Sequence, residues 1–467
     1  MAFGWKLHGD GTTPPVGEVV GPDERLSWPR TAGIGAQHVV AMFGATFVFP
    51  LVMGLDPNLA VMMSGVATIV FLLIVQGKVP SYLGTSASFV GGVFAIRAGV
   101  DTAQTDGWVT GAILVAGVVL AMCGLVIHFL GTRVIHAVFP PVVTGGVVML
   151  IGFGLAFVVA DTYWPQDHWV ALATMTFVFL VMVLFRGFLG RIAILLGLLF
   201  GFALSWVLDR TVGQITSVLP GQRLLDASGK PCTAEGPYCV ATAFEHDRVS
   251  FDAMKAADWF GLPEMHAPDF KMSAILLVLP AVIALIAENT GHVKAVGEMT
   301  GTDLDPMIGR AVFADGVGTV VTTSVGGSPT TTYAENIGVM AATRIYSTAA
   351  YYIAAAIAIL FGLCPKFGAL VAATPGGVLG GVTVILYGMI GLLGAKIWIE
   401  SRVDFADPVN MVPVGAGIIL AIGPVVHEIN EDFKLEGIAF GTIVLLAGYH
   451  LLRAISGRVS GEGAARG

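Results

Sequence analysis

The segment S-P-T-T-T-Y-A-E-N-I-G-V-M, residues 328–340, joins an extended stretch to the start of a helix. Pro329 is followed by three threonines and a tyrosine, which favour β-structure, and the apolar residues after Asn336 favour a helix. Glu335 lies at the junction. The surrounding chain is mostly apolar, and inside a bilayer both an interrupted backbone and a carboxylate are costly. We therefore predict that this segment belongs to a binding site in a discontinuous membrane span.

The composition is that of a polytopic, all-α membrane protein. Of the 467 residues, 55% are hydrophobic and 12% are charged, about half the charged fraction of soluble domains. The 61 glycines fit close contact between helices in lipid. With this composition we expect the chain to lie in a lipid bilayer. It has no basic tract or nucleic-acid motif, so we expect it to bind no nucleic acid. Residues 1–30 are polar and lack the apolar region of a signal peptide.

About fourteen apolar segments have the length needed to cross a bilayer. They cover approximately residues 31–53, 57–77, 82–99, 108–130, 137–160, 168–187, 190–209, 271–293, 307–325, 330–346, 348–364, 370–396, 408–425 and 435–453. The third and tenth are short and are interrupted by Pro, Gly, Thr and Ser.

Positive charges predict the orientation, because loops rich in Lys and Arg stay in the cytoplasm. With both termini inside, the inside loops hold Lys78, Arg133, Arg186, Arg191, Lys294, Arg310, Arg344, Lys396, Arg402, Arg453 and Arg458. Arg97, Lys366 and Lys434 are exceptions. The polar segment 210–270 then lies outside, where Cys232 and Cys239 either form a disulfide or remain free thiols. Cys123 and Cys364 lie in apolar segments and are interpreted as packing residues.

The long loop separates seven spans from seven, which predicts an inverted repeat, since a repeat with an odd number of spans must be inverted. Two local similarities support it. Pro140-x4-Gly-Gly-Val resembles Pro375-x4-Gly-Gly-Val, and the broken segment Pro80 to Phe89 resembles the stretch that begins at Pro329. The corresponding positions of the broken segments indicate a transporter whose site lies between two discontinuous helices.

Glu288 is conspicuous because no glutamate occurs between Glu24 and Glu235. It lies near the inner end of the eighth span, and His292 follows four residues later on the same helix face. A carboxylate and an imidazole at this spacing can share or relay a proton. The alternatives are a glutamate that emerges into water beside Lys294, and a histidine that is only solvated or packed.

The remaining polar residues of the spans have two interpretations each. Glu335 either stabilises its own helix start or helps that helix end to hold a ligand. We favour Asp315 as a partner for backbone N–H groups of the broken helices over a direct ligand contact. Gln37 and His38, in the first span, can bond either to the scaffold or to a ligand.

Two carboxylates accept hydrogen bonds from N–H groups, and free backbone N–H groups at half-helix ends donate to carbonyl oxygens. A flat ring with alternating N–H and C=O groups, such as a pyrimidinedione or an oxopurine, meets both demands, although a cation or an amine would also suit two carboxylates. No nucleophile–base arrangement, metal motif or phosphate loop is present in the sequence, so we expect neither an enzyme nor a cofactor.

Several motifs resemble the nucleobase–ascorbate transporter family, also called nucleobase:cation symporter-2, and within it the bacterial uracil and pyrimidine permeases of the Rut-pathway type. The motifs are A-Q-H-V-V-A-M-F-G-A-T (36–46), V-P-S-Y-L-G-T-S (79–86), A-E-N-T-G-H (287–292), T-T-Y-A-E-N-I-G-V-M (331–340) and I-E-S-R-V-D (399–404). The resemblance covers nearly the whole chain.

The resemblance implies proton-coupled uptake of a nucleobase by an elevator-like movement in a bacterial inner-membrane homodimer. It implies a cytoplasmic tail (1–30), core-domain spans 1–4 (31–130) and 8–11 (271–364), gate-domain spans 5–7 (131–209) and 12–14 (365–453), a loop (210–270) and a second tail (454–467). The gate domain would supply the dimer contact.

The resemblance also assigns roles to single residues. Glu288 and Glu335 would bind the base, and His292 would work with Glu288 in binding or proton coupling. The backbone at Ala334 and Ala87 would supply hydrogen bonds. The supporting polar residues would be Asp315, Asn336, Gln37 and His38, and the residues lining the pocket would be Ala45, Tyr333 and Tyr387.

The sequence departs from the best-known uracil permease pattern at three positions. Ala87 replaces a phenylalanine, which predicts a roomier pocket and a range of bases that includes thymine. Ala334 replaces a glycine, so its backbone can donate only if the site needs no positive φ. Asp315 replaces an asparagine, which can alter the cation that is coupled. The alternatives are a xanthine or urate permease of the same family, or an anion channel or exchanger on the same architecture, against which the paired glutamates argue.

Overall fold

A computed structural model describes residues 4–12, 14, 18–97, 102–131, 137–185, 187–217, 244–423, 425–430 and 433–464 of the protein. The fold is mostly helical. Cys232 and Cys239 lie outside the described residues, as do Arg133 and Arg186.

Eighteen α-helices in this part of the chain are numbered here in order. They are α1 (Trp28–Met53), α2 (Pro57–Ile74), α3 (Val90–Arg97), α4 (Thr102–Leu130), α5 (Pro141–Gly154), α6 (His168–Leu184), α7 (Phe188–Arg191), α8 (Ala193–Thr211), α9 (Asp252–Ala256), α10 (Met272–Val278), α11 (Pro280–Thr300), α12 (Ile308–Thr323), α13 (Ala334–Thr343), α14 (Thr348–Gly362), α15 (Pro365–Ala372), α16 (Gly376–Glu400), α17 (Pro408–Ile422) and α18 (Gly437–Ala464).

The strands form four two-stranded sheets among the described residues. The pairs are β1 (Lys6–Leu7) with β2 (Glu24–Arg25), β3 (Leu83–Thr85) with β6 (Thr330–Thr332), β4 (Ile215–Ser217) with β5 (Phe244–His246), and β7 (Val426–Asn430) with β8 (Phe433–Glu436). Short 3₁₀ turns cover Ala87–Phe89, Trp164–Gln166 and Asp305–Met307, and a π-helical turn covers Val158–Tyr163.

Each of the fourteen predicted spans coincides with at least one helix. In the described chain, eight helical segments are at least 18 residues long and apolar enough to cross a membrane, and the other predicted spans contain shorter helices. The third and tenth spans each consist of a short strand followed by a short helix, so the prediction of two strands in these spans is confirmed. The helix α18 continues beyond the predicted last span, to Ala464.

Local sequence explains where several helices begin and end. An aspartate precedes α2, α6 and α17, and its carboxylate accepts a hydrogen bond from a first-turn N–H group. Gly54 ends α1 and Gly301 ends α11, both in the left-handed region with φ of 68° and 63°.

Glycines let α4 and α12 approach closely, as their abundance predicted. A Cβ added at Gly124, Gly309 or Gly316 would lie 2.2–2.4 Å from a backbone nitrogen of the facing helix. This contact holds α12, which carries Asp315, against α4.

The N-terminal segment is docked on the helical body rather than extended. Val20 N donates to Arg344 O at 3.0 Å, Tyr346 N donates to Val20 O at 2.8 Å, and Trp5 Nε1 donates to Thr348 Oγ1 at 2.8 Å. A hydrogen bond from Gly21 N and the neighbouring His8 lower the pKa of the Glu24 carboxyl. Glu24 is therefore ionised near neutral pH and its bonds to this segment persist there.

Ion pairs and hydrogen bonds hold the described part of the long loop to the ends of helices. The Arg248 guanidinium bonds to Asp167 Oδ2 at 2.8 Å and to Asp209 Oδ1 at 3.1 Å, and all three side chains are largely buried. Farther along, Gly261 N donates to Leu363 O and Asp269 N donates to Gly107 O. The loop therefore contacts both halves of the chain.

Candidate functional site

The two broken spans meet in the antiparallel ladder of β3 and β6. Leu83 pairs with Thr332, Gly84 with Thr331, and Thr85 with Thr330. Every strand residue is buried. The ladder satisfies the backbone groups of two chain interruptions, which in a membrane interior need internal partners.

A helix begins directly after each strand. The 3₁₀ turn starts at Ala87 and leads into α3, and α13 starts at Ala334. Because the strands are antiparallel, the two helix starts lie at opposite ends of the ladder. The first N–H groups of a helix have no acceptor within it, so each start can offer donors to a ligand. Ala334 is not among the described non-glycine residues with positive φ, so it meets the condition for replacing a glycine.

Tyr333 links the two broken spans to the first span. Its hydroxyl donates to Thr85 O at 2.8 Å and accepts from Thr46 Oγ1 at 3.2 Å. A Cβ at Gly84 would lie 2.4 Å from the Tyr333 ring, so only glycine fits at that ladder position. The tyrosine is buried and holds the ladder against α1.

Glu288 and Glu335 come together from different elements. Glu288 lies on α11 and accepts a hydrogen bond from Thr331 Oγ1 at 3.0 Å. Glu335 lies in the first turn of α13, four residues after the Thr331 that bonds to Glu288. Both are half-buried. The structure thus places two carboxylates, from the eighth and tenth predicted spans, beside the same strand.

His292 contacts the strand rather than Glu288. Its Nδ1 lies 2.7 Å from Thr332 Oγ1, whereas Glu288 bonds to the adjacent Thr331. Among the described residues, no hydrogen bond joins His292 to Glu288 directly. The two groups predicted to share a proton therefore have separate partners on β6.

Asp315 has side-chain partners, not the backbone N–H groups that were predicted. Its Oδ2 accepts from Asn289 Nδ2 at 2.7 Å, and its Oδ1 lies 3.4 Å from the donor Thr330 Oγ1. Asp315 and Asn289 are fully buried. The reason for the error is that β6 turns the Thr330 hydroxyl toward α12, and the ladder already satisfies the strand's backbone.

Asn336 and His38 connect α13 to α1 behind the carboxylates. Asn336 Nδ2 donates to His38 O at 3.0 Å and lies 3.1 Å from His38 Nδ1. The His38 ring packs on Tyr351 with centroids 4.2 Å apart. In this structure His38 therefore contacts the scaffold. Gln37 is half-buried and has no hydrogen bond to another described side chain.

An apolar wall adjoins these polar groups. Ala45, Tyr333 and Tyr387 belong to one buried cluster, and Ala87 packs against it. The Tyr387 hydroxyl is buried and has no partner among the described residues. The three residues predicted to line a pocket, Ala45, Tyr333 and Tyr387, therefore all belong to the buried core, and each is less than a tenth exposed.

The opposite face is open. Ala334 and Gly291 are exposed, and a Cβ at Gly291 would have no described atom within 4 Å. Glu288, His292 and Glu335 are each half-buried near these positions. The three ionisable side chains are therefore partly accessible from outside the protein.

Sequence reasoning missed the residues that hold the functional groups: Asn289, Thr331 and Thr332. The threonines were interpreted only as strand formers, and Asn289 only as part of a motif. The sequence feature that could have identified them is a hydroxyl or amide residue next to a carboxylate residue within an apolar span, because a buried polar group there needs a partner. Within the described chain, no group of three or more His, Cys, Asp or Glu residues could hold a metal ion.

Comparisons with known proteins identify the family. Residues 30–429 match the profile described as "Permease family". The chain is 41% identical over 450 residues to RutG of Escherichia coli K12, whose name describes it as a pyrimidine permease, with coverage of 95% of this chain and 94% of the relative. It is 33% identical to the uracil permease of the same strain, with coverage of 91% and 92%.

Solved structures with the same fold include two anion transporters. Murine Solute Carrier 26 family member A9 aligns with a TM-score of 0.63 at 11% identity, over 93% of this chain and 70% of that chain. The transmembrane domain of the cyanobacterial bicarbonate transporter BicA aligns with a TM-score of 0.54 at 15% identity, over 90% and 96%. At these identities the likeness concerns the fold alone. The chain therefore belongs to the permease family that its motifs resemble, the nucleobase–ascorbate transporters, and is a multi-pass membrane transporter, not an enzyme.

Proposed function

We propose that the protein is a proton-coupled symporter that imports uracil, and also thymine or related bases, across the bacterial inner membrane. The observation that carries the proposal is that Glu288 bonds to Thr331 on β6, while Glu335 lies in the first turn of the helix that follows this strand and starts at Ala334. The relatives named as uracil and pyrimidine permeases support the substrate class.

The chemistry of the base matches that of the site. The ring N–H groups of uracil donate to Glu288 and Glu335, and its carbonyl oxygens accept from backbone N–H groups at Ala334 and Ala87. The apolar wall with Tyr387 packs against the ring face. The small side chain of Ala87 leaves space for a substituent on the ring, so the 5-methyl group of thymine is accommodated.

Protonation of Glu288 and His292 is coupled to base binding in this proposal. Each protonation state favours a different orientation of the site, and the difference in affinity drives the cycle. Residues 31–130 and 271–364 move as a core domain that carries the base. Residues 131–209 and 365–453 form a gate domain that contacts a second copy in a homodimer. Asp315, Asn336, Gln37 and His38 act as supporting groups.

We further propose fourteen spans in a seven-plus-seven inverted repeat, with residues 1–30 and 454–467 in the cytoplasm and 210–270 outside. Contacts between segments predicted on the same side support this topology. Gly107, Val325 and Leu363 all contact residues 261–269, and Val20 contacts Arg344 and Tyr346. The repeat is also supported by α5 and α16, which each begin after a proline N-cap, Pro140 or Pro375.

Radiolabelled uracil uptake into proteoliposomes with an imposed pH gradient, with and without sodium, tests the proposal. Accumulation that collapses with a protonophore and does not depend on sodium is the expected result. Uptake of xanthine without uracil would overturn the substrate, and a sodium requirement would overturn the coupling ion. Chloride or bicarbonate flux without base transport would favour an anion transporter on this fold.

A further inference from the structure

Four polar side chains form a continuous chain from α11 through β6 to α12. His292 Nδ1 lies 2.7 Å from Thr332 Oγ1, Thr332 Oγ1 lies 3.4 Å from Asn289 Oδ1, and Asn289 Nδ2 lies 2.7 Å from Asp315 Oδ2. Thr332, Asn289 and Asp315 are buried, and His292 is half-buried at the open end. The chain therefore runs from the accessible side of the site to a buried carboxylate.

The orientation of the Asn289 amide is determined by its neighbours. Its Nδ2 also donates to Leu285 O at 2.9 Å, and a backbone carbonyl can only accept. The amide nitrogen therefore faces Leu285 and Asp315, and Oδ1 faces Thr332. Because Oδ1 is fully buried, it requires a donor.

Thr332 has one hydroxyl proton and two neighbours that could accept it. In the described chain, its hydroxyl is the donor within reach of Asn289 Oδ1. If Thr332 donates to Asn289, its oxygen is free to accept, and the 2.7 Å contact requires His292 to donate from Nδ1–H. If Thr332 donates to His292 instead, the Asn289 oxygen is left buried without a donor, which is costly.

We propose that Thr332 is a positioning residue that holds neutral His292 in the Nδ1–H tautomer and links it, through Asn289, to Asp315. The Nε2 atom is then the nitrogen that takes up a proton. The bond from Nδ1–H to Thr332 is the same before and after that proton arrives, so His292 can change charge without a rearrangement of the strand. The tautomer of His292 follows from its contacts alone, and only the consequence for transport rests on the proposed function.

Imidazole ¹⁵N chemical shifts of histidine-labelled protein in lipid vesicles test the tautomer directly. The His292 signal is identified by its loss in a His292→Gln variant, and the spectrum is recorded at alkaline pH, where imidazole is neutral. We expect the wild-type signal to report Nδ1–H with an unprotonated Nε2. A wild-type signal from the Nε2–H tautomer overturns the proposal without any variant or substrate.

Two substitutions at position 332 separate positioning from packing. Thr332→Val keeps the shape and removes the hydroxyl, and we expect the Nδ1–H signature to be lost. Thr332→Ser keeps the hydroxyl and should retain the signature. Thr110→Val is the matched control, because Thr110 is buried and its hydroxyl bonds only within its own helix. An unchanged His292 signal in Thr332→Val would contradict the proposal.

Transport provides the second readout. We expect Thr332→Val to lower the maximal rate of proton-driven uracil uptake roughly tenfold to a hundredfold, because the hydrogen bond to Thr332 becomes charge-assisted once His292 is protonated and the variant loses it, and Thr332→Ser to restore most of the rate. Equal uptake by Thr332→Val and wild type would overturn the positioning role. Failure of wild-type protein to transport any base would instead overturn the proposed function and leave the tautomer result standing.

Discussion

The two broken spans have the same plan but different contents. Each has a three-residue strand followed by a helix start, and the strands pair with each other. The first, Leu83–Arg97, has no acidic residue, and its Ser86 hydroxyl caps its own turn by accepting from Ser88 N. The second, Thr330–Thr343, carries Glu335 and bonds through its threonines to Glu288, His292 and Asp315.

This difference indicates that the paired strands supply a scaffold and that the ionisable groups and their partners are concentrated at the second broken span. The first span contributes close packing at Gly84 and a backbone acceptor at Thr85 for Tyr333. The second contributes the ionisable group and the hydroxyls that orient its neighbours. Substitutions in the two halves should therefore fail in different ways.

The largest effect is expected for Glu288→Gln, which should abolish uphill uracil uptake. The amide keeps the size of the side chain but can neither ionise nor carry a proton. Uptake driven by a pH gradient in proteoliposomes is the measurement. Glu298→Gln is the control, since Glu298 lies on the same helix and is exposed. Robust accumulation by Glu288→Gln would place the coupling elsewhere.

Glu335→Ala should weaken uracil binding roughly a hundredfold or more, because it removes charge-assisted hydrogen bonds to the base. Isothermal titration calorimetry in detergent measures the affinity. Glu400→Ala is a suitable control, because Glu400 is exposed at the end of α16. An unchanged affinity would show that the second broken span is not the binding half.

Gly84→Ala should destabilise the fold by about 2–3 kcal/mol, because its Cβ would overlap the buried Tyr333 ring and Thr46 Oγ1. The melting temperature of the purified protein is the measurement. Gly388→Ala serves as the control, because a Cβ there has no described atom within 4 Å. Equal stability of the two variants would mean that the first broken span does not hold the ladder by packing.

The smallest effects are expected when a threonine is replaced by valine in each of the two broken spans. Thr331→Val removes the hydroxyl that donates to Glu288 and should lower uptake roughly tenfold. Thr85→Val removes a hydroxyl that contacts Ser328 and should cost about 1 kcal/mol of stability, with uptake changed less than threefold. Equal losses of uptake in both variants would remove the functional distinction between the halves.

Much of this arrangement could be predicted from the sequence. The length of the apolar segments identified the helices, because a bilayer demands about twenty apolar residues per span. The segments that begin at Pro80 and Pro329 were each predicted to contain a strand followed by a helix, because Pro, Gly and Thr interrupt the apolar sequence there. Glu288 and Glu335 were recognised because a carboxylate in such a span is costly unless it has a function.

Partner choice was decided only by the tertiary structure. The spacing of Glu288 and His292 predicted that they share or relay a proton, and it did not predict that β6 lies beside α11 and gives each group its own threonine. Asp315 bonds to Asn289, 26 residues away in the sequence. Helix periodicity relates residues three or four apart, whereas a hydrogen bond depends on distances of about 3 Å between elements that are far apart in the chain. The residue types of the site are therefore visible in the sequence, and their pairing follows from how the ladder packs against α11 and α12.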